Sequence, residues 1–75
     1  YVITNRNLAA QQMARALKTL PKSTIVEFEF AFSLTKDAAK NYAKEAMQKA
    51  GRGFEGYSYA IIRSNVLVIM IGAAA

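Results

Sequence analysis

The strongest constraint on the fold is a run of six apolar residues near the end of the chain, Val66–Ile71. A strand that is apolar on both faces belongs in the middle of a sheet, because at an edge it would promote aggregation. A second strand-like run, Tyr57–Arg63, precedes it and is separated from it by Ser64 and Asn65. Two residues between strands predict a tight hairpin in which Asn65 adopts a positive φ. The rest of the chain must therefore supply a second neighbour for Val66–Ile71 and a cover for the sheet.

The second neighbour is predicted at residues 24–33, where apolar and polar residues alternate. In a strand, a period of two places alternate residues on opposite faces. The apolar face contains Val26, Phe28, Phe30 and Phe32. The opposite face contains Ile25, Glu27, Glu29, Ala31 and Ser33. We place Val66–Ile71 between this strand and Tyr57–Arg63, antiparallel to both.

A first helix is predicted over residues 7–20. Asn5 or Asn7 is a suitable N-cap, because its side-chain oxygen can accept a free N–H of the first turn. Pro21 ends the helix, since the residue before a proline is driven out of the α region. One face carries an apolar stripe of Ala9, Met13, Ala16, Leu17 and Leu20.

A second helix is predicted between the cap Thr35 and Ala50. Asp37 lies in its first turn, where a negative charge suits the helix dipole. Gly51 supplies a left-handed stop after the last turn. The apolar stripe consists of Ala39, Tyr42, Ala43, Ala46, Met47 and Ala50. Both helices therefore offer mainly alanine to the sheet.

These elements predict an α+β fold, a two-layer sandwich with the order (β)-α-β-α-β-β and a split β-α-β plan. Two helices cover one face of an antiparallel or mixed sheet of three strands, and residues 1–4 are a candidate fourth strand at an edge. The connection through the second helix should be right-handed. Because no linker or repeat interrupts the sequence, we expect residues 1–75 to form a single domain.

The outer face of this sheet, opposite the helices, is predicted to be a protein interface. We expect the helices to cover Ala60, Ile62, Leu67, Ile69 and Ile71. The outer face then holds Tyr57, Tyr59, Ile61, Arg63, Val68 and Met70, flanked by Glu27 and Glu29. This surface is too apolar to face water favourably. The predicted partner is a second copy of the chain or another protein, contacting Tyr57, Tyr59, Ile61, Val68 and Met70.

The charge of the chain points to an alternative function. Ten Lys and Arg residues against five acidic residues give a net charge of +5 and a pI near 9.8. Such a balance favours anionic partners, among them nucleic acid. Lys36, Lys40 and Lys44 recur every four residues along the solvent side of the second helix. A basic nucleic-acid-binding module would use Arg15, Lys18, Lys36, Lys40, Lys44 and Arg52.

The absence of His and Cys disfavours catalysis and metal binding. His is the side chain best suited to acid–base chemistry near neutral pH and the commonest metal ligand. Glu27 and Glu29 could form a carboxylate pair on one strand face, but no His, Cys or Asp stands near them in the sequence. We predict no catalytic residue, no metal site and no cofactor.

The compartment is left open by the sequence. The absence of Cys fits a reducing compartment, which slightly favours the cytoplasm. The longest apolar run, residues 66–75, is too short for a helix that spans a bilayer, which needs roughly 20 residues. Because the chain begins with Tyr1 rather than Met, a processed, secreted or membrane-acting factor is a third hypothesis.

The glycine-rich stretch before the hairpin matches two known patterns in part. Residues 52–59, Arg-Gly-Phe-Glu-Gly-Tyr-Ser-Tyr, resemble the central signature of the RNA-recognition motif, with Glu55 as an extra residue. In that family the aromatic side chains stack on bases, but its element order is β-α-β-β-α-β, so we do not assign the chain to it. Gly51, Gly53 and Gly56 also have the glycine spacing of dinucleotide-binding loops. They follow a helix and precede a strand, the reverse of the order that such a site requires.

Overall fold

The computed structural model describes residues 1–21, 24–53, 57–63 and 65–71, and for residues 57–61 and 71 it describes the backbone alone. The elements are strand β1 (Val2–Ile3), a 3-10 turn (Arg6–Leu8), helix α1 (Ala9–Thr19), strand β2 (Ile25–Phe30), helix α2 (Lys36–Lys49), strand β3 (Tyr57–Arg63) and strand β4 (Val66–Ile71). The predicted α+β class, with two helices and a mixed sheet in this order, is confirmed.

Strand β4 lies inside the sheet, as its apolar sequence predicts. The four strands are ordered β1-β2-β4-β3, and β4 is antiparallel to both of its neighbours. The hairpin has the predicted register from the pair Arg63 and Val66 to the pair Tyr59 and Met70. Beyond that pair the prediction is wrong, because a register shift between Tyr57 and Tyr59 places Tyr57 opposite Ile71, a residue predicted on the covered face. Asn65 has a φ of 67°, the left-handed conformation expected of it. Ser64, the other predicted turn residue, lies outside the described residues.

Strand β1 is the fourth strand, at the edge of the sheet beside β2. It runs parallel to β2, with Val2 opposite Glu29 and Ile3 opposite Phe30. The N–H of Ala31 donates to the carbonyl of Ile3 at 2.9 Å. Because α1 connects β1 to its parallel neighbour, the first half of the chain forms a β-α-β unit.

Helix α1 is shorter than predicted at both ends. Its first residues form the 3-10 turn instead, where the Asn5 side chain accepts the N–H of Asn7 at 2.8 Å. Leu20 is extended, with a φ of −101° and a ψ of 145°. The Pro21 ring excludes the α conformation at Leu20, so the helix ends at Thr19.

Helix α2 begins and ends with the predicted caps. The hydroxyl of Thr35 accepts the N–H of Ala38 at 3.1 Å. At the other end Gly51 has a φ of 76°, and its N–H donates to the carbonyl of Gln48. The N–H of Arg52 donates to the carbonyl of Met47 at 2.8 Å. These two bonds form a Schellman motif, which satisfies the last carbonyls of the helix.

The core lies between the helices and one face of the sheet. The strands contribute Ile3, Val26, Phe28, Phe30, Leu67 and Ile69. The helices contribute mainly alanine, with Met13, Leu17 and Met47 as the large side chains. The predicted inner residues Leu67 and Ile69 are buried and Ile62 packs against the core, whereas the side chains of Ala60 and Ile71 lie outside the description.

Strand β2 ends at Phe30 and not at Ser33. Beyond its last residue only the bond from the N–H of Ala31 to the carbonyl of Ile3 continues the pairing with β1, and side chains hold the backbone that follows. The guanidinium of Arg6 lies 5.1 Å from the centre of the Phe32 ring and donates to the carbonyl of Ser33 at 3.3 Å. The rings of Phe30 and Phe32 meet edge to face, with their centres 5.3 Å apart.

Candidate protein interface on the open sheet face

The face of the sheet opposite the helices, called here the open face, is built from alternate residues of β2, β3 and β4. Its described side chains are Ile25, Glu27, Glu29, Arg63, Val66, Val68 and Met70, with Val2 at the β1 edge. The residues between them in β2 and β4 point the other way and are buried in the core. Both helices pack on that other side, so neither helix covers the open face.

The strand register arranges the open face in cross-strand rows. In the first row Val66 lies between Glu29 on β2 and Arg63 on β3. In the second row Val68 lies beside Glu27. Residues that are directly opposite in an antiparallel pair are about 5 Å apart and share a face. The centre of the open face is therefore a line of apolar side chains along β4.

The apolar side chains of the open face are accessible to solvent. Ile25 is 59% exposed and Val2 is 62% exposed, and both are large hydrophobic residues. Val66, Val68 and Met70 are half-buried, although β4 is an internal strand. A contiguous apolar surface of this kind marks an interaction site more often than an isolated exposed residue does.

The structure describes two of the five side chains predicted for the interface. Val68 and Met70 lie on the open face and are half-buried, which matches the sequence analysis. For Tyr57, Tyr59 and Ile61 the side chains lie outside the description. Their backbones belong to β3, where Tyr59 is opposite Met70 and Ile61 is opposite Val68. Tyr57 lies beyond the register shift and is opposite Ile71, so the register does not place it in line with the other two.

Three apolar residues of the open face are not among the interface residues predicted from the sequence. Val66 pairs with Arg63, so the predicted hairpin register already implied its place beside the other residues. Ile25 was assigned to the outer side of its strand but not to the interface. Val2 could not be placed, because a strand of two residues has no readable period.

Most basic side chains lie in the helical layer, which consists of the 3-10 turn, α1 and α2 and lies on the other side of the sheet from the open face. The 3-10 turn, α1 and α2 together carry seven cationic residues and two acidic ones, a balance of +5 that equals the net charge of the whole chain. The predicted contact residues Arg15, Lys18, Lys36, Lys40 and Lys44 are all exposed. Lys40 and Lys44 line a shallow surface depression together with Asp37 and Asn41.

Arg52, the sixth predicted anion contact, has a different environment. It is half-buried, and its Nη2 donates to the carbonyl of Leu20, the C-cap of α1, at 2.7 Å. The backbone N–H of Arg52 donates to the carbonyl of Met47 in the last turn of α2. A cation at this point suits the negative ends of both helix dipoles. Arg52 therefore joins the two helix ends, a long-range role that local sequence pattern does not reveal.

The two glutamates that could form a carboxylate pair, Glu27 and Glu29, are both exposed on the open face. Within the described ranges, no three His, Cys, Asp or Glu side chains form a group that could hold a metal ion. Neither α1, with 11 residues, nor α2, with 14, is long and apolar enough to cross a membrane, as far as the chain is described.

Comparison with known proteins gave no relative. No protein-family model, no curated protein and no solved structure matched the chain.

Proposed function

We propose that this chain is a non-enzymatic interaction module that self-associates through its open face. The observation that carries the proposal is the apolar line of Val66, Val68 and Met70 along β4, flanked by the exposed Ile25 on a face that neither helix covers. Burying these side chains against a second sheet would remove apolar surface from water, which is the main favourable term in most protein association.

The composition of the core supports the same proposal. A domain of about this size buries only roughly 60% of the surface that its unfolded chain exposes, so its stability is marginal. The buried residues of α1 and α2 are mostly alanine, which brings little apolar area to the core. No disulfide is available because the chain has no Cys. Association is the remaining way for such a chain to bury more apolar surface.

The dimensions of the open face are those of a weak interface. Three strands of six or seven residues, spaced about 4.8 Å apart, cover roughly 14 by 20 Å, and the two residues of β1 extend one edge, which gives about 300 Å². Two copies would bury about 600–800 Å² in total, below the standard size of specific interfaces. We therefore expect a dissociation constant in the micromolar range, roughly 10–100 μM.

Light scattering and sedimentation over a concentration series test the proposal. The wild-type chain should shift from monomer to dimer as concentration rises. Val68→Lys places a charge at the centre of the open face and should weaken the dimer at least about tenfold. Gln11→Lys adds the same charge at an exposed position of α1 and should leave the dimer unchanged.

Two outcomes would overturn the proposal. One is a wild-type chain that stays monomeric up to about 1 mM, well above the expected dissociation constant. The other is a dimer that Val68→Lys and Gln11→Lys weaken equally, which would place the interface elsewhere. Circular dichroism of each variant establishes that the fold is retained. A monomer that instead binds an unrelated protein through Val68 would assign the open face to a different occupant.

A second candidate function is favoured by the charge of the helical layer. We propose, as the alternative, that Lys36, Lys40 and Lys44 bind the phosphate backbone of nucleic acid, with Arg15 and Lys18 extending the contact. All five are exposed, and the layer that carries them holds the whole net charge. Such contacts neutralise phosphates and release counterions, so binding would not depend on sequence. Both functions are compatible, because they use opposite layers of the molecule.

Fluorescence anisotropy with a labelled oligonucleotide at low and high salt tests this alternative. Binding should weaken steeply with salt, and Lys40→Glu should reduce it. Lys49→Glu is a matched control, because Lys49 is also exposed on α2 but lies about 140° around the helix from Lys44. Absence of binding at low salt, or equal loss in the two variants, would exclude the lysine line as a nucleic-acid surface.

A further inference from the structure

We infer that the occupant of the open face is a second copy of this chain, related by a two-fold axis that runs along β4, with Glu29 of each copy paired to Arg63 of the other. This inference rests on the proposed self-association and specifies its geometry. It is carried by the strand register, which places one acidic and one basic side chain symmetrically about the central strand.

The two charges stand in the same cross-strand row. Glu29 is opposite Val66 on one side, and Arg63 is opposite Val66 on the other. Both side chains are exposed. Each lies one strand from β4, about 4.8 Å to either side of it. From β2 to β3 the row therefore consists of a negative, an apolar and a positive side chain.

A two-fold axis parallel to β4, midway between two facing sheets, exchanges the two sides of this row. It leaves β4 over β4 of the second copy and brings β2 over β3. Glu29 of each copy then faces Arg63 of the other, and Val66 faces its own counterpart. This is the reciprocal contact pattern that a two-fold interface requires. Facing sheets also pack about 10 Å apart with their strands nearly aligned, as this axis demands.

A two-fold axis perpendicular to the strands gives a less favourable contact. Centred on the row of Val68, it places β2 over β2 of the second copy. Glu27 of one copy then faces Glu27 of the other, and Glu29 of each copy lies two residues further along the same strand. The four carboxylates of the two β2 strands therefore lie near one another. Like charges that are juxtaposed in an interface are strongly unfavourable. Charge therefore favours the axis along β4 over a perpendicular axis centred on the row of Val68.

Complementation between two charge-reversed variants tests the inference. In Glu29→Arg the proposed dimer has Arg facing Arg twice, and in Arg63→Glu it has Glu facing Glu twice. Each variant alone should dimerise at least about tenfold more weakly than the wild-type chain. An equimolar mixture restores both opposite-charge pairs, so it should form a one-to-one heterodimer with an affinity within about threefold of the wild-type dimer. The double variant Glu29→Arg/Arg63→Glu should likewise dimerise by itself.

Neutralising the two glutamates of β2 provides a matched pair of variants. Glu27 and Glu29 lie two residues apart on the same face, and both are exposed. With the axis along β4, Glu27 faces the strand position of Ile61, an uncharged residue, so burying its charge is unfavourable. Glu27→Gln should therefore leave the dimer unchanged or tighten it. Glu29→Gln removes both ion pairs of the dimer and should weaken it about three- to tenfold.

The results separate this inference from the proposed function. If the mixture of charge-reversed variants dimerises no better than each variant alone, or if the two neutralised variants shift the dimer in the same direction, the geometry is wrong. Self-association through the open face would then still stand, provided that Val68→Lys abolishes it. A wild-type chain that does not dimerise would remove both. Glu27, Glu29 and Arg63 are exposed, and circular dichroism of each variant checks that the fold is intact.

Discussion

Replacing Asn65 by alanine is expected to destabilise the fold by about 2 kcal/mol. Asn65 joins β3 to β4 with a φ of 67°, and its side-chain Oδ1 accepts the N–H of Leu34 at 3.1 Å. Its carbonyl also accepts the N–H of Phe30 at 3.0 Å. One residue therefore closes the hairpin and fixes the loop that leads from β2 into α2.

Two separate losses make up this magnitude. An L-residue with a side chain in the left-handed region costs about 1–2 kcal/mol, and asparagine tolerates that region better than alanine. A buried N–H that loses its acceptor costs about 1–3 kcal/mol, and the low end applies because the Leu34 bond is only partly buried. A domain of 75 residues has a stability of roughly 4–11 kcal/mol. The expected loss is thus a large share of the total.

A short series of variants at Asn65 separates the two causes. Asn65→Gly keeps the positive φ but loses the side-chain acceptor, so it should cost about 1 kcal/mol. Asn65→Asp replaces the amide oxygen by a carboxylate oxygen that can accept the same N–H, so it should be closer to the wild-type chain than either Asn65→Ala or Asn65→Gly. Asn41→Ala is the control, because Asn41 is exposed within α2, where alanine is the better helix former.

Thermal and urea denaturation, followed by circular dichroism at concentrations below the dimer dissociation constant, measure the series. For a domain of this size, each 1 kcal/mol shifts the midpoint by about 4–8 °C, so Asn65→Ala should melt roughly 8–16 °C lower than the wild-type chain. A shift smaller than that of Asn65→Gly would refute the backbone part of this reasoning. If Asn65→Gly and Asn65→Asp lowered the melting midpoint equally, loss of the hydrogen bond to Leu34 would be refuted as a cause.

Three further changes test other parts of the fold by the same denaturation assays. Gly51→Ala should lower the free energy of unfolding by about 1 kcal/mol because Gly51 has a φ of 76°. The cost is one of backbone conformation, since an added methyl group would meet no atom within 4 Å. An unchanged stability would contradict a left-handed stop at this position. Thr35→Ala removes the hydroxyl that caps α2 and should also cost about 1 kcal/mol, whereas Thr35→Ser should cost much less. Phe28→Ala should cost about 3–5 kcal/mol of stability because Phe28 is fully buried. Ile25→Ala, on the open face, should change the stability of the monomer by less than about 1 kcal/mol. Equal losses would mean that the two faces of β2 are misassigned.

The position of each strand in the sheet could be predicted wherever the sequence has a clear period. The continuous apolar run of Val66–Ile71 required two neighbours, and the structure provides them. Alternation in β2 identified Phe28 as inward and Glu27 as outward, which their burial confirms. The open face followed from the same two patterns, because the register of a tight hairpin fixes which side chains share a side.

Features that depend on contacts between distant residues could not be predicted. The chain leaves β2 after Phe30, where Arg6 binds the Ser33 carbonyl, and these two residues are 27 positions apart. Arg52 was assigned to an anion contact from its charge, but in the structure its Nη2 binds the Leu20 carbonyl, 32 positions away. Strand β1 has only two residues, so its parallel pairing with β2 becomes visible only in three dimensions.

Chemical cross-linking through introduced cysteines tests the central claim most directly, because the chain has no cysteine of its own. A short bis-maleimide should join two copies of Val68→Cys efficiently, since a two-fold axis along β4 places residue 68 opposite its counterpart on a sheet about 10 Å away. Gln11→Cys, exposed on α1, is the matched position on the helical layer. We expect a covalent dimer from Val68→Cys and almost none from Gln11→Cys. Equal cross-linking at both positions, or none at residue 68, would contradict a dimer closed through the open face.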